Sequence, residues 1–245
     1  MKLLITFVKT GRMVYISHLD LARAFLRALR TAGLRPAYTQ GYSPHPKMGF
    51  ALPLSLGMHS LCEVLEVEVA VGGRLQAAPT GVLAALQAGL PEGVRVTGVF
   101  EKPAKYATSM ASYVAAATYE IHCEGVAGAP EKMGAFFAEE SVLVSKKRKP
   151  VLLDSRDKPE NDNGMKEKDD VRDIRALMLS WRVVKDLRGR MLVEVTLAAG
   201  AGKLLNPQVF FDAFCAHAGL NAAALTPVFT RTAILDAEGG ALPNG

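Results

Sequence analysis

Three arginines near the start of the chain have a spacing that suits phosphate binding. Arg23, Arg27 and Arg30 lie four and three residues apart in "SHLDLARAFLRALRTAG", a stretch with the apolar periodicity of a helix. Their guanidinium groups are therefore expected on one helix face. A guanidinium group binds phosphate through two parallel hydrogen bonds. The spacing predicts a short track for a polyanion or for an acidic protein surface.

The loop "GYSPHPK", residues 41–47, is the second candidate site. Its two prolines fix their own φ angles and bias the residues before them toward extended backbone. The loop is therefore expected to present Tyr42 and His45 in set directions, with Lys47 beside them. A base stacked on the tyrosine, a hydrogen bond from the histidine and a phosphate on the lysine would make a single-stranded RNA contact. The alternative is a rigid connector that packs over a sheet.

The start of the first helix is a candidate anion site. Ser17 and Asp20 have the spacing of a capping box, and His18 lies in the first turn. Free N–H groups and the helix dipole attract anions at such an end. The alternative is that Ser17 and Asp20 only cap the helix.

His18 and His45 are also the candidate catalytic residues, because a histidine acting as acid or base can cleave RNA without a metal. The spacing of the histidines resembles no known ligand pattern, so neither a metal site nor a cofactor is expected. The cysteines, Cys62, Cys123 and Cys215, are far apart, which argues against a disulfide framework or an iron–sulfur cluster. We expect all three to be buried.

The charge of the chain is concentrated at one end. The net charge is +5, but residues 1–50 carry eight basic side chains and one acidic one, and the remaining residues sum to −2. A basic end of this kind predicts an anionic partner, most often a nucleic acid. No apolar run is long enough to span a bilayer, and "MKLLITFVK" is too short and too quickly followed by charge for a signal peptide. A cytoplasmic protein with no membrane partner is expected.

Periodicity predicts the element order β-α-β-β-α-β twice, which indicates an α+β fold of two tandem ferredoxin-like subdomains. In the first helix, the apolar face is expected at Leu19, Ala22, Leu26 and Leu29. Strands are expected at 47–54, at 62–71, where the glutamates suggest one solvent-exposed face, and from 173. The predicted divisions are an N-terminal subdomain at 1–103, a linker at 104–112, a C-terminal subdomain at 113–235 with a charged insertion at 145–173, and a flexible tail at 236–245.

Several motifs resemble the bacterial radical SAM-linked protein family, a domain of unknown function. These motifs are a K-x-G turn, S-H-L-D opening a helix, a G-[FY]-x-P-H-P loop and an F-A-x-P-L-x-x-G strand. They are found here at Lys9 and Gly11, at Ser17 to Asp20, at Gly41, Tyr42, Pro44, His45 and Pro46, and at Phe50 to Gly57. The resemblance implies a protein encoded beside, or fused to, a radical SAM enzyme, and it transfers no catalytic residue.

Three functions remain open from the sequence. The first is a non-catalytic RNA-binding partner of a radical SAM enzyme, which presents tRNA or rRNA for modification. In that case Arg23, Arg27, Arg30 and Lys47 would hold phosphates, and Tyr42 and His45 would position a base or the backbone. The second is a metal-independent endoribonuclease of RAMP-like fold, an analogy at the level of fold only. The third is a protein-docking module for the radical SAM enzyme that makes no RNA contact.

Overall fold

The computed structural model describes residues 1–70, 79–145, 171–187, 190–200 and 202–243. Within these residues the chain forms a mixed α/β fold with four α-helices and a large mixed sheet. The helices are α1 (His18–Thr31), α2 (Pro79–Ala88), α3 (Ala129–Ala138) and α4 (Pro207–His217). The strands are β1 (Lys2–Lys9), β2 (Met48–Phe50), β3 (His59–Glu68), β4 (Val94–Glu101), β5 (Ala116–Glu124), β6 (Leu143–Ser145), β7 (Val171–Asp173), β8 (Met178–Leu187), β9 (Arg190–Gly200), β10 (Lys203–Leu204) and β11 (Val228–Leu235).

One sheet of nine strands runs through both halves of the chain. In the N-terminal half β1 is antiparallel to β3 and β4, and β2 is antiparallel to β3. In the C-terminal half β5 is antiparallel to β9 and β11, and β8 and β10 are antiparallel to β9. A short parallel pairing of β3 with β11 joins the halves, with Thr230 opposite His59 and Arg231 opposite Ser60. Strands β6 and β7 pair separately.

The two halves share a hydrophobic core. On one face of β1, the side chains of Leu3, Ile5 and Phe7 pack against α1 and α2. Because successive side chains of a strand point to opposite faces, Leu4 points to the other face of β1. There it belongs to a second hydrophobic cluster, which includes residues of the C-terminal half. The predicted linker at 104–112 also contributes to this cluster, because Tyr106 and Met110 are buried in it. The connection between the halves is therefore packed against them.

Helix α1 begins where the sequence predicts, but its buried face is rotated from the predicted one, and of the four predicted apolar residues only Leu29 is buried. The buried residues are Leu21, Ala24, Phe25, Ala28 and Leu29, whereas the side chain of Leu19 is 65% exposed. The ring of Phe25 packs against Phe7 of β1 with ring centroids 4.7 Å apart. Burying this large aromatic side chain sets the rotation of the helix, and that rotation turns Leu19 to solvent.

Two predicted strands are shorter than expected. The strand predicted at 47–54 ends at Phe50, since the carbonyl groups of Leu52 and Pro53 accept hydrogen bonds from the Arg231 side chain instead of from a strand. The strand predicted from 173 begins at Met178, because a 3₁₀ turn at Arg175–Leu177 precedes it. The Asp173 carboxylate accepts a hydrogen bond from the first backbone N–H of that turn.

The sequence predicts a charged insertion at 145–173 and a flexible tail at 236–245. The insertion begins and ends in the β6–β7 pair, and residues 146–170 lie outside the described residues. In the tail, a turn closes between Asp236 and Gly240, and the N–H of the buried Leu242 donates to the carbonyl of Ile234. Residues 236–243 therefore fold back on β11. No helix in the described part of the chain has both the length and the apolar character needed to cross a membrane.

Candidate nucleic-acid interface

The three arginines of α1, hereafter the arginine row, form one exposed face of the helix. Their positions lie opposite the side chains that pack on β1, so Arg23, Arg27 and Arg30 all point to solvent. The guanidinium of Arg23 is 2.9 Å from the Asp20 carboxylate. That of Arg27 makes no ion pair or hydrogen bond with the described residues. The row therefore keeps donors that an anion can reach.

The loop that follows α1 is a small hairpin with hydrogen bonds across its base. Tyr38 and Pro46 pair as an antiparallel bridge. The N–H of Thr39 donates to the carbonyl of His45 at 2.8 Å, and the N–H of His45 donates to the Thr39 hydroxyl at 3.0 Å. Residues 37 and 47 are bonded to β3. These bonds tie the two ends of the loop together, and residues 40–44 form its tip.

The hairpin and the arginine row meet at one side-chain contact. The Arg30 guanidinium donates a short hydrogen bond to the Tyr38 hydroxyl at the base of the hairpin. At the tip, the side chain of Tyr42 is fully exposed. The hairpin that exposes this aromatic ring is therefore joined at its base to the end of the arginine row. An exposed aromatic ring and positive charge together are a combination that binds single-stranded nucleic acid.

Lys47 differs from the rest of the predicted RNA site. Its ammonium group forms an ion pair with the Glu68 carboxylate at 3.1 Å. A phosphate would have to compete with this carboxylate. Lys47 lies between the hairpin and a cleft on the sheet, and it lines that cleft.

The start of α1 is a helix cap in which a carboxylate already occupies the anion position. The N–H of Asp20 donates to the Ser17 hydroxyl at 3.1 Å, and that hydroxyl donates to the Asp20 carboxylate at 2.7 Å. Hydrogen bonds from Ser17 and then from Arg23 lower the pKa of Asp20, so the carboxylate is ionised. A second anion would be repelled. This geometry favours the capping alternative over the anion site predicted at Ser17, His18 and Asp20.

The two candidate catalytic histidines lie near opposite ends of α1. The ring of His18 packs edge-on against Phe50, with centroids 5.0 Å apart. His45 belongs to the hairpin that contacts Arg30, and a rise of 1.5 Å per residue puts Arg30 about 18 Å from His18 along the helix. Neither imidazole ring hydrogen-bonds to a described residue. No described cluster of three His, Cys, Asp or Glu side chains has the arrangement of a metal site.

A cleft of about 360 Å³ opens on the face of the N-terminal sheet that points away from α1 and α2. Glu66 lies opposite both Leu4 of β1 and Gly49 of β2, so these three positions share that face. The sequence predicts one solvent-exposed face for the glutamates of β3, but the side chains of Glu63 and Glu66 are only 3% and 14% exposed. Glu68 is partly exposed, at 31%. The cleft is lined by Lys2, Lys47, Met48, Gly49, Phe50, Glu66, Glu68, Ser109, Met110 and Ala111.

A buried ionic cluster at the junction of the two halves was not predicted. The Arg231 side chain is 2% exposed and the Glu63 side chain is 3% exposed, and they form an ion pair at 2.8 Å. The same guanidinium donates to the carbonyl of Leu52 at 2.9 Å and packs over the Tyr119 ring at 5.6 Å. The sequence feature that could have predicted this cluster is the arginine inside the apolar strand "VFTRTAIL". A charged side chain buried in such a strand needs a buried partner.

The three cysteines are expected to be unreactive in the folded protein. All are buried, and burial raises the pKa of the Cys62 thiol to about 12 and that of Cys215 to about 11. Burial also raises the pKa of Cys123. Because the thiolate is the reactive form, an aromatic disulfide reagent in mildly alkaline buffer should label none of them until urea is added. Release of the chromophore by the native protein would contradict this.

The fold and this surface define a mixed α/β protein with an exposed, arginine-lined face joined to a loop that exposes a tyrosine ring. A family model described as "Uncharacterized protein conserved in bacteria (DUF2344)" matches residues 2–207, and the chain belongs to this family. The description names neither an activity nor a partner. The match includes the arginine row, the hairpin and the cleft, and it ends before β11. No curated protein matches the chain.

Proposed function

We propose that this chain is a non-catalytic RNA-binding protein that presents tRNA or rRNA to a radical SAM enzyme in the cytoplasm. One observation carries the RNA part: the Arg30–Tyr38 contact puts the arginine row next to the hairpin that exposes Tyr42. Guanidinium groups would hold phosphates while the tyrosine ring stacks on a base. The enzyme partner rests on the resemblance of the N-terminal motifs to the radical SAM-linked family.

The strand pairing supports the tandem ferredoxin-like interpretation of the fold. In the N-terminal half, the elements β1-α1-β2-β3-α2-β4 have the spatial strand order β4-β1-β3-β2 with every pair antiparallel. In the C-terminal half, β5-α3-β8-β9-α4-β11 have the order β11-β5-β9-β8, again antiparallel. The repetition of one order in both halves is the argument for two related subdomains.

The geometry gives less support to a metal-independent endoribonuclease. General acid–base cleavage works best with two groups on either side of one phosphate, but His18 and His45 lie near opposite ends of α1. No described side chain orients either imidazole through a hydrogen bond. A single phosphate held on the arginine row would therefore meet at most one of the two histidines.

The test is binding of the purified protein to tRNA and to rRNA fragments across a salt series. Replacing Arg23, Arg27 and Arg30 with alanine should weaken binding strongly. It should also reduce the slope of log K against log salt by about two, since each phosphate contact on a single strand contributes about 0.7. The matched control replaces Arg95, Arg182 and Arg190, three exposed arginines outside α1, and removes the same charge. The control slope should stay close to that of the unmodified protein.

Each alternative has its own outcome in this experiment. Equal slopes for the two triple variants would contradict binding at the arginine row. If RNA is not bound at all and Arg27→Glu breaks a complex with the radical SAM enzyme, the docking module is the better description. Cleavage of the RNA in chelator, lost in His45→Ala with binding intact, would establish the endoribonuclease instead.

A further inference from the structure

The cleft beside Lys47 has the size and the polar groups of a site for one nucleobase. We propose that it binds an unstacked base with an exocyclic amino group, cytosine in particular, from the RNA that lies on the arginine row. This inference rests on the proposed function and names the part of the RNA that the protein reads.

The shape of the cleft depends on a glycine in β2. Gly49 lies opposite Glu66, on the sheet face that points away from α1 and α2. Its missing side chain leaves the space open, because a Cβ atom added there would meet no atom within 4 Å. The buried Met110 lines the cleft from the segment that connects the two halves. A volume of about 360 Å³ lies within the range of small-ligand sites.

One of the two glutamates in the cleft has a structural role. A carboxylate oxygen of Glu66 accepts from the ammonium group of Lys102 at 2.7 Å, and the other accepts from the N–H of Met110 at 2.8 Å. The side chain of Lys102 is only 3% exposed. These bonds hold residues 109–111 over the sheet and leave Glu66 little capacity for a ligand.

The other glutamate keeps an open acceptor. Only the Oε1 atom of Glu68 is bonded to Lys47, and Oε2 has no hydrogen-bond partner among the described residues. The ammonium group of Lys2 forms only a loose ion pair with Glu66, 3.9 Å from its Oε1 atom, and the Lys2 side chain is 47% exposed. The cleft therefore offers a carboxylate acceptor and an ammonium donor. A carboxylate accepts a hydrogen bond from the amino group of cytosine, but it repels the carbonyl that uracil has at that position.

Lys47 connects the cleft to the arginine row. Its backbone bonds to Ala37 and Glu68 at the base of the hairpin, while its side chain lines the cleft. A strand that leaves the arginine row at Arg30 passes the hairpin before it reaches this lysine. The base that follows can then turn into the cleft at the free edge of β2.

The experiment compares two labelled homopolymers, oligo(rC) and oligo(rU), of about eight nucleotides, the size of a typical single-strand site. Affinity is measured by fluorescence anisotropy in slightly alkaline buffer at fixed salt, where cytosine is unprotonated. We expect the unmodified protein to bind oligo(rC) about tenfold more tightly, the discrimination that one good base contact provides. Gly49→Leu, which fills the cleft, and Glu68→Leu, which removes the acceptor, should each reduce the ratio to about one.

The control is Gly81→Leu, the same substitution at an exposed site of α2 where an added Cβ atom also meets nothing. It should keep the tenfold ratio. Glu68→Leu makes the protein more basic, so it should strengthen the binding of both polymers. Because this charge effect is the same for both, it cancels in the ratio of their affinities. Equal affinity of the unmodified protein for both polymers, or an unchanged ratio in Gly49→Leu, would overturn the cleft as a base site and leave the arginine row standing. Failure to bind either polymer would also overturn the base site, whereas the proposed function is decided separately by the binding of tRNA and rRNA fragments in the salt series.

Discussion

Glu63→Leu is expected to lower the free energy of unfolding by about 3–5 kcal/mol, the usual effect of removing one partner from a buried ion pair. The guanidinium of Arg231 would keep its hydrogen bonds to the carbonyls of Leu52 and Pro53 but lose its only charged partner within hydrogen-bond distance among the described residues. It cannot lose its proton to escape the charge, because an arginine guanidinium group stays protonated in proteins. The loss is large because both side chains are almost completely buried, so solvent cannot readily replace the lost partner.

The measurement is urea unfolding followed by circular dichroism and by the fluorescence of Trp181, the single tryptophan. Glu194→Leu is the matched control, since it removes the carboxylate that pairs with Arg182 through two hydrogen bonds on the surface. The Arg182 side chain is 70% exposed, so water can replace its partner and the change should be much smaller. A loss for Glu63→Leu no larger than that of the control would show that Arg231 does not depend on Glu63.

A double variant distinguishes the contribution of the two charges to stability from that of the volume that their side chains occupy. Replacing Glu63 with leucine and Arg231 with methionine removes both charges and keeps most of the volume. Hydrophobic replacements of buried ion pairs are often neutral or stabilising. The double variant should therefore recover most of the stability lost in Glu63→Leu. If the double variant does not recover this stability, the hydrogen bonds from Arg231 to the backbone carbonyls contribute more to stability than its pairing with Glu63 does.

Gly93→Ala should also destabilise the fold strongly, by at least about 2 kcal/mol. Gly93 has a φ of +93°, a conformation that costs an L-residue about 1–2 kcal/mol. An added Cβ atom would also lie 2.6 Å from the Thr10 carbonyl oxygen, which belongs to backbone and cannot rotate away. The N–H of Thr10 donates to the Gly93 carbonyl at 2.8 Å, so relief of the clash would break this contact at the end of β1.

Gly57→Ala is the control for the cost of the positive φ angle alone. Its φ of +82° is similar, but an added Cβ atom meets nothing within 4 Å. The difference between the two substitutions in thermal or urea unfolding therefore measures the steric contact with Thr10. Equal losses of stability in Gly93→Ala and Gly57→Ala would show that the chain around Gly93 relieves the contact without a cost in free energy.

The features that depend on neighbouring residues were predictable from the sequence. Ser17 and Asp20 form the predicted cap, Gly33 ends the first helix in a left-handed conformation, and the arginine spacing produces one exposed row. Helix geometry alone relates such positions, so no distant contact is needed to locate them. The stiffness expected of the 41–47 loop from its two prolines stays a prediction.

The tertiary structure decided the features that join distant parts of the chain. The face that α1 buries depends on Phe25 packing against Phe7, and the length of β2 depends on an arginine of β11 that takes the carbonyls of Leu52 and Pro53. The partner of Glu63 lies 168 residues away. The cleft needs three strands of one half and the segment between the halves. Periodicity shows which residues share a face of one element, but only packing selects which elements meet and so which charges are buried together.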